Sequence, residues 1–406
     1  MNFALLGDDP AVVPLVTAIA AYPRHRLTRA ALVGAPTLSA ISKIVPGVSA
    51  ADGWEEWISS PVVDTVIVVG DDDAVLEAAR KLATAGRSLM IFPLASQGLA
   101  FVYELTLIRD DALVALCPAF LPRFEPAVVV LRGLIEAGEL GQLMHLQFER
   151  AHISANDTGS PPLVSQAEID EVLLQDVDLL RSLGGNYSRV TAVYSGKVSD
   201  RVSMAQVTLA GEGMAEASWS MKTTQPGPLW KLVAVGERRT VVLTREDALT
   251  PIQLDADDVD VSQLLPQSSR DPIDRLLENC AAMQAGELAT PDWTDLTQAF
   301  ELVDAARRSV RRRRTIDVYF ETASERSVFK TQMTAVGCGL LVLTFFAVIV
   351  ALIIGTLFKP NDTVMMVLRG LVFLPLVLFL LLQVLLVVTR ASTGDTSPQA
   401  NANSDK

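Results

Sequence analysis

The stretch Val63–Pro93 constrains the fold most, because its residues follow the order strand, helix, strand. Val63–Val69 is a β-branched run long enough for a buried parallel strand. Asp71–Asp73 then suit the start of a helix, and the apolar residues that follow recur at helical spacing. Ser88–Phe92 is a second apolar run, which Pro93 ends. This unit predicts a parallel sheet, whose ligands lie beyond the carboxyl ends of the strands.

The chain up to residue 320 divides into an α/β half and a sheet-rich half. Strand and helix patterns alternate through 1–122, beginning with a strand at Asn2–Leu6 and a helix at Pro10–Ala21. Six strand-like runs follow between residues 143 and 244, and one clear helix, Ile169–Leu183, interrupts them. An acidic segment, Asp255–Asp260, is expected to be a solvated loop. We therefore predict a Rossmann-like α/β parallel-sheet domain at 1–122 and an α+β open-sheet domain at 123–320.

Two uncharged runs near the C-terminus, Met333–Phe358 and Gly370–Thr389, are long enough to cross a membrane, which takes about 20 helical residues. Two buried core helices are the alternative, but runs of this length without charge are rare in soluble cores. We predict a juxtamembrane linker at 321–332, transmembrane helices at 333–358 and 364–389, and a polar tail at 390–406. Basic residues flank the pair on both outer sides, so the N-terminal domains and the tail are expected to be cytoplasmic.

Composition narrows the classes of partner. The net charge of −13 argues against nucleic acid, whereas the predicted spans make the lipid bilayer an expected partner. The basic cluster Arg311–Arg314 suits either anionic lipid or the C-terminal end of a helix. The three cysteines have neither metal-ligand spacing nor a disulfide pattern, so we predict no metal site and a reducing compartment.

Four segments, in register with this order of elements, resemble a known family. They read A-G-R-S-L-M-I-F-P-L-A, P-R-F-E-P, E-A-G-E-L-G and D-V-D-L-L-R-S-L-G-G. The likeness is to the glucose-fructose oxidoreductase, inositol dehydrogenase and MocA family, and it covers about residues 1–320. It implies an NAD(P)-dependent oxidoreductase with a sugar or polyol-like substrate. It also implies a homodimer formed through the open face of the sheet domain.

The resemblance implies a cofactor site in the loops that follow the strands. The implied cofactor-binding positions are Gly7, Asp8, Asp9, Ala11, Val12, Gly70, Asp71 and Pro93. The family's first turn is G-x-G-x-x-G, whose glycines let backbone amides approach a diphosphate at a helix N-terminus. Here the turn reads G-D-D-P-A-V, with Asp9 in place of the second glycine. At about 4 Å, two like charges repel by roughly 4 kcal/mol near a protein surface.

Asp9 has a second explanation, and the cofactor region differs from the family at one more place. Asp9 also suits the N-cap of its own helix, which would explain it without a cofactor. The second strand, predicted at Arg29–Val33, ends beside Gly34 without a carboxylate to bind a ribose hydroxyl. The charge of Asp9 and the missing carboxylate both predict weaker binding of a dinucleotide than in the family.

The positions that the resemblance implies are catalytic are Phe92, Glu171 and Gln175. Phe92 replaces the lysine of the family's E-K-P motif and cannot transfer a proton. Glu171 and Gln175 replace an aspartate and a histidine, and their spacing keeps them on one helical face. Glu171 can act as a base, whereas Gln175 has no proton to exchange near neutral pH.

Two interpretations follow. The preferred one is a membrane-held, non-catalytic binding or scaffolding module, because fold and function are separable. The alternative is an active NAD(P)-dependent oxidoreductase on a sugar or polyol-like substrate, with Glu171 or water as the base. Binding of NADH or NADPH would distinguish them.

Overall fold

The computed structural model describes residues 1–50, 53–60, 62–151, 163–196, 198, 201–223, 228–247, 250–257 and 271–319, with five further residues between 345 and 353. Residues Met1–Phe320 form one compact unit and Glu321–Lys406 form a second. The first unit contains two β-sheets and the helices packed on them, and it carries every position that the sequence implicates in binding or catalysis.

The first sheet is parallel, and six strands belong to it in the described residues, in the order β3-β2-β1-β4-β5-β6. These strands are β1 (Asn2–Leu6), β2 (Arg26–Ala31), β3 (Ser49–Ala50), β4 (Thr65–Val68), β5 (Ser88–Ile91) and β6 (Leu116–Pro118). The helices between and after them are α1 (Val13–Ala21), α2 (Ala35–Ile44), α3 (Asp73–Thr84), α4 (Gly98–Ala112) and α5 (Pro126–Glu136). The parallel sheet predicted from Val63–Pro93 is therefore confirmed.

The core lies on both faces of this sheet, as a near-continuous apolar sequence requires. In β1, Phe3 and Leu5 contribute to one apolar cluster, whereas Ala4 and Leu6 contribute to the other. Each of the four side chains is fully buried. The pleat alone places neighbouring residues on opposite faces, so both faces must be covered by helices.

The second sheet has the order β15-β14-β13-β7-β12-β11-β9-β16 in the described residues. Its strands are β7 (Leu143–Ala151), β9 (Arg189–Ser195), β11 (Met204–Ala210), β12 (Glu216–Lys222), β13 (Trp230–Gly236), β14 (Thr240–Arg245), β15 (Gln253–Ala256) and β16 (Ile316–Asp317). A separate short pair consists of β8 (Val164–Ser165) and β10 (Arg201–Val202). The remaining helices are α6 (Gln166–Gly184), α7 (Pro272–Gln284) and α8 (Trp293–Arg312).

Several details of the prediction were wrong. The six strand-like runs do not pair simply in chain order, because the second sheet is mixed: β7 and β12 run parallel, whereas the other paired strands run antiparallel. Asp255 lies in β15, paired with β14, rather than in a loop, and residues 258–260 of that segment lie outside the described residues. A 3-10 turn, Pro10–Val12, precedes α1, and β2 ends at Ala31 rather than at Val33.

The predicted spans at 333–358 and 364–389 lie outside the described residues, except for five residues of the first span, which are helical. Within the part of the chain that the structure describes, no helix has the length and apolar character needed to cross a membrane. The linker at 321–332 and the tail at 390–406 also lie outside the described residues.

Buried ion pairs fix α6, the helix that carries Glu171 and Gln175. Asp178 receives two hydrogen bonds from Arg123, at 2.7 and 2.5 Å. Asp176 accepts from the guanidinium of Arg150 at 2.7 Å and from the indole of Trp219 at 2.8 Å. Removing one member of such a buried pair leaves an uncompensated charge, which costs about 3–5 kcal/mol. These pairs therefore hold α6 in one position against the sheets.

Candidate functional site

The candidate site, which we call the crevice, lies at the carboxyl ends of β1, β4 and β5, where parallel α/β sheets bind their ligands. Gln97, which is buried, joins two of the loops there. Its amide nitrogen donates to the carbonyl of Gly70 at 3.0 Å and to that of Phe92 at 3.1 Å. The amide oxygen of Gln97 accepts from the backbone of Leu94 at 3.2 Å. The sequence did not indicate this residue, because its partners come from separate loops.

Close backbone packing explains Gly7 of the crevice, and backbone conformation explains Gly70. Gly7 has φ of +100°, and a Cβ placed on it would lie 1.7 Å from the carbonyl oxygen of Val69. Gly70 has φ of +98°, a conformation that favours glycine, and its Cβ would lie 3.7 Å from the backbone nitrogen of Asp8. Close approach of the loops after β1 and β4 therefore requires Gly7, whether or not a cofactor binds.

The first turn places two carboxylates differently. Asp9 accepts a hydrogen bond from the backbone nitrogen of Ala11 at 2.8 Å and caps the 3-10 turn, which confirms its predicted capping role. Val12 is fully buried in the core. Asp8 is exposed, and its carboxylate lies over Gly34, where a Cβ on that glycine would be 2.3 Å from Asp8 Oδ2. Ala11 and Val12 thus expose no free donor in this arrangement.

The loop after β5 is tied to α6 by Glu171 and Gln175. Glu171 Oε2 accepts from the backbone nitrogen of Ala95 at 2.9 Å. Gln175 Nε2 donates to the carbonyl of Pro93 at 3.2 Å. The structure therefore brings the predicted positions Glu171, Gln175 and Pro93 together. The side chain of Phe92 packs against the apolar core.

Glu171 has an unusual electrostatic environment. Burial raises the pKa of its carboxyl above the ordinary value, and the nearby charges of Asp71 and Asp9 raise it further. The hydrogen bond from Ala95 opposes part of this effect. A half-buried carboxyl with a raised pKa beside the ends of parallel strands is a candidate general base.

An ion pair between Arg307 and Asp170 lies beside the loop after β5, and the sequence did not predict it. Arg307 on α8 donates to Asp170 at 2.7 Å and to the carbonyl of Ala95 at 3.3 Å. Asp170 precedes Glu171 on α6, and burial raises its pKa while Arg307 lowers it. No local pattern could have indicated the pair, because only the tertiary fold brings α8 to this loop.

Two of the chain's three histidines lie away from the crevice. His25 packs near Phe3 and Tyr22 at the opposite end of the strands, and burial lowers its pKa. His145 lies on β7, with Nε2 3.1 Å from the Ser218 hydroxyl, and His152 lies outside the described residues. Among the residues that the structure describes, no three His, Cys, Asp or Glu side chains are arranged to hold a metal ion.

The open face of the second sheet carries a shallow depression of about 330 Å³. Its lining is mainly polar and includes Gln147, Glu149, Gln206, Ser220 and Lys222. The depression lies on β7, β11 and β12, the central strands of that sheet.

The residues of the crevice fit a nicotinamide dinucleotide if Asp9 turns away. The carboxylates of Asp8 and Asp71 supply acceptor oxygens for hydrogen bonds from ribose hydroxyls. A diphosphate needs the backbone amide that Asp9 now occupies. Losing a helix cap costs about 0.5–2 kcal/mol, less than the roughly 4 kcal/mol of repulsion that rotation would relieve.

The first unit places a parallel sheet, with helices on both faces, before a second, mixed sheet, and several solved structures have this fold. No protein-family model matches the chain, and no curated protein matches it by sequence. The similarity therefore resides in the fold.

Three solved structures illustrate it. A provisionally named myo-inositol dehydrogenase from Sinorhizobium meliloti 1021 is 18% identical, with a TM-score of 0.63 over 79% of this chain and 100% of that chain. Levoglucosan dehydrogenase, in complex with NADH and levoglucosan, is 16% identical, with a TM-score of 0.61 over 78% of this chain and 99% of that chain. An aldose-aldose oxidoreductase from Caulobacter crescentus, complexed with glycerol, is 15% identical, with a TM-score of 0.64 over 78% of this chain and 99% of that chain.

Proposed function

We propose that the first unit is an NAD(P)-dependent oxidoreductase that acts on a hydroxyl-bearing, sugar or polyol-like substrate. The observation that carries this proposal is the carboxyl of Glu171, half-buried at the crevice with a raised pKa. The fold neighbours support it, since one holds NADH together with a sugar-type ligand. This reverses the preference drawn from the sequence, which was for a non-catalytic module.

Different residues of the crevice would accept the substrate proton, line the cofactor and hold the loops in place. The nicotinamide cofactor, when bound, supplies hydride transfer. Glu171 would accept the proton of the substrate hydroxyl, through an oxygen that is not committed to Ala95. Gly70, Asp71 and Pro93 would line the cofactor, while Gln97 and Gln175 hold the loops in place.

The second candidate is a non-catalytic binding or scaffolding module. Phe92 packs against the apolar core and Gln175 donates a hydrogen bond to the carbonyl of Pro93, so two of the three positions that are catalytic in the family have structural roles. Such a module would take an uncharged or cationic ligand, because Asp8, Asp9 and Asp71 repel anions.

Titration of the full-length chain, purified in mild detergent, with NADH and NADPH separates the two candidates. The fluorescence of the reduced nicotinamide reports binding. Micromolar affinity supports the oxidoreductase, whereas no binding at millimolar cofactor supports the non-catalytic module.

Substitution of Asp9 sharpens this test. Asp9→Gly should tighten binding by about tenfold to a thousandfold, because it removes charge and bulk from the diphosphate position. Asp72→Asn is the control, since it removes an exposed charge from the same sheet edge but leaves Ala11 untouched. If Asp9→Gly binds neither cofactor, the oxidoreductase proposal fails.

We further propose that the second unit anchors the protein in a membrane as a two-pass hairpin, with the large N-terminal unit and the tail in the cytoplasm. The uncharged runs at 333–358 and 370–389 support this. Phe345 and Phe346, which fall in the first run, are 67% and 63% exposed, as lipid-facing side chains would be. We also propose a homodimer through the open sheet face, which the polar depression on β7, β11 and β12 could serve.

A further inference from the structure

The carboxylate of Asp8 occupies a position that the sequence does not reveal. Asp8 follows β1, yet its side chain extends to Gly34, at the start of the helix α2 that follows the neighbouring strand β2. The three atoms nearest to a Cβ placed on Gly34 all belong to Asp8, with Oδ2 at 2.3 Å and Cγ at 3.0 Å. The carboxylate therefore fills the space that a side chain at position 34 would take.

This carboxylate is available to a ligand. Asp8 is exposed, and no described residue donates a hydrogen bond to its side chain. Gly34 is the N-cap of α2, and no side chain caps that helix. Both oxygens of Asp8 can thus accept hydrogen bonds at the mouth of the crevice.

In a parallel sheet of this strand order, a carboxylate beside the end of β2 affects which nicotinamide cofactor binds. A carboxylate at the end of β2 accepts hydrogen bonds from the ribose hydroxyls of NAD(H), and it repels the 2′-phosphate of NADP(H). No residue of β2 or its end supplies that carboxylate here. We propose that Asp8 supplies it from the loop after β1 and selects NAD(H) over NADP(H). This inference rests on the proposed binding of a nicotinamide dinucleotide.

The test measures the dissociation constants of NADH and NADPH for the full-length chain by nicotinamide fluorescence. The wild-type chain should prefer NADH by about ten- to a hundredfold, the range of a hydrogen bond to a charged group. Asp8→Gly should weaken NADH binding and tighten NADPH binding, so that the preference falls to about threefold or less.

Moving the carboxylate provides the decisive variant. The φ of Gly34 is −66°, which any residue adopts, and Asp8 supplies the atoms nearest to its Cβ. The double variant Asp8→Gly with Gly34→Asp should therefore restore the preference for NADH. Asp72→Asn, which removes a charge at the same edge away from Gly34, should leave the ratio of the two constants unchanged.

The outcomes distinguish this assignment from the proposed function. If both cofactors bind but Asp8→Gly leaves their ratio unchanged, Asp8 does not select the cofactor, although the oxidoreductase proposal stands. A change in melting temperature without a change in ratio means that Asp8 only stabilises the start of α2. If neither cofactor binds the wild-type chain or Asp9→Gly, both proposals are overturned.

Discussion

At the scale of single residues, several positions implicated in chemistry have structural roles. Gly7 allows two strand ends to approach, Asp9 caps a turn, and Gln175 holds the carbonyl of Pro93. The capping by Asp9 could be predicted because it depends on neighbours in sequence. The placement of Asp8 over Gly34 could not, since it depends on how two separate strands pack.

Glu171 provides a test at this scale that needs no substrate. Burial and the charge of Asp71 raise its pKa in the folded state, so the folded protein binds the Glu171 proton more tightly than the unfolded chain does. Stability from this group is present below its ordinary pKa of 4.5 and is lost as pH rises through the folded pKa. Glu171→Gln, which keeps an acceptor for Ala95, should therefore be more stable than wild type near neutral pH but not at low pH.

Denaturant midpoints measured from acid to neutral pH check this prediction. In an Asp71→Asn background the gain from Glu171→Gln should shrink, because one of the charges that raises the Glu171 pKa is gone. Asp72 is not among the charges acting on Glu171, so Asp72→Asn should leave the gain unchanged. An equal gain at every pH would show that the pKa of Glu171 is not raised.

At the scale of elements, the sequence predicted best where a pattern is local and long. β1, β11 and β13 begin and end where their patterns do, and α6 (Gln166–Gly184) contains the helix predicted at Ile169–Leu183. The short edge strands β3, β15 and β16 were missed, because pairing with a neighbour, rather than their own composition, makes them strands. Strand order and the parallel pairing of β7 with β12 are likewise properties of the folded sheet.

The close approach of β1 and β4 predicts a large effect at Gly7. Gly7→Ala should destabilise the first unit by about 2–6 kcal/mol, from roughly 1–3 for the backbone conformation and roughly 1–3 for overpacking against Val69. Gly86→Ala is the matched control, because Gly86 has φ of +77° but open space around its Cβ. Chemical denaturation of both variants measures the difference. Equal losses would mean that the contact with Val69 contributes nothing.

At the scale of the whole molecule, the two sheets of the first unit share a core. The helix α7 follows the second sheet in sequence, yet Leu276, Leu277 and Cys280 pack into the apolar cluster of the first sheet. The helices α6 and α8 likewise contact the loop after β5, through Glu171 and Arg307. Residues from both halves of the first unit therefore contribute to the crevice. The order of strands and helices along the sequence predicts two sheets, but it does not predict that later helices pack against the first sheet and its loops.

The second unit provides the prediction at this scale. The full-length chain should sediment with membranes, and detergent but not high salt should release it, because each uncharged run can span the hydrocarbon core. A variant that ends at residue 319 should remain in the supernatant. Replacing Arg311–Arg314 with glutamine in the full-length chain is the control for electrostatic attachment to anionic lipid, and this variant should still sediment. Release of the wild-type chain by salt alone would assign membrane attachment to that basic cluster, and a soluble full-length chain would remove the membrane hairpin altogether.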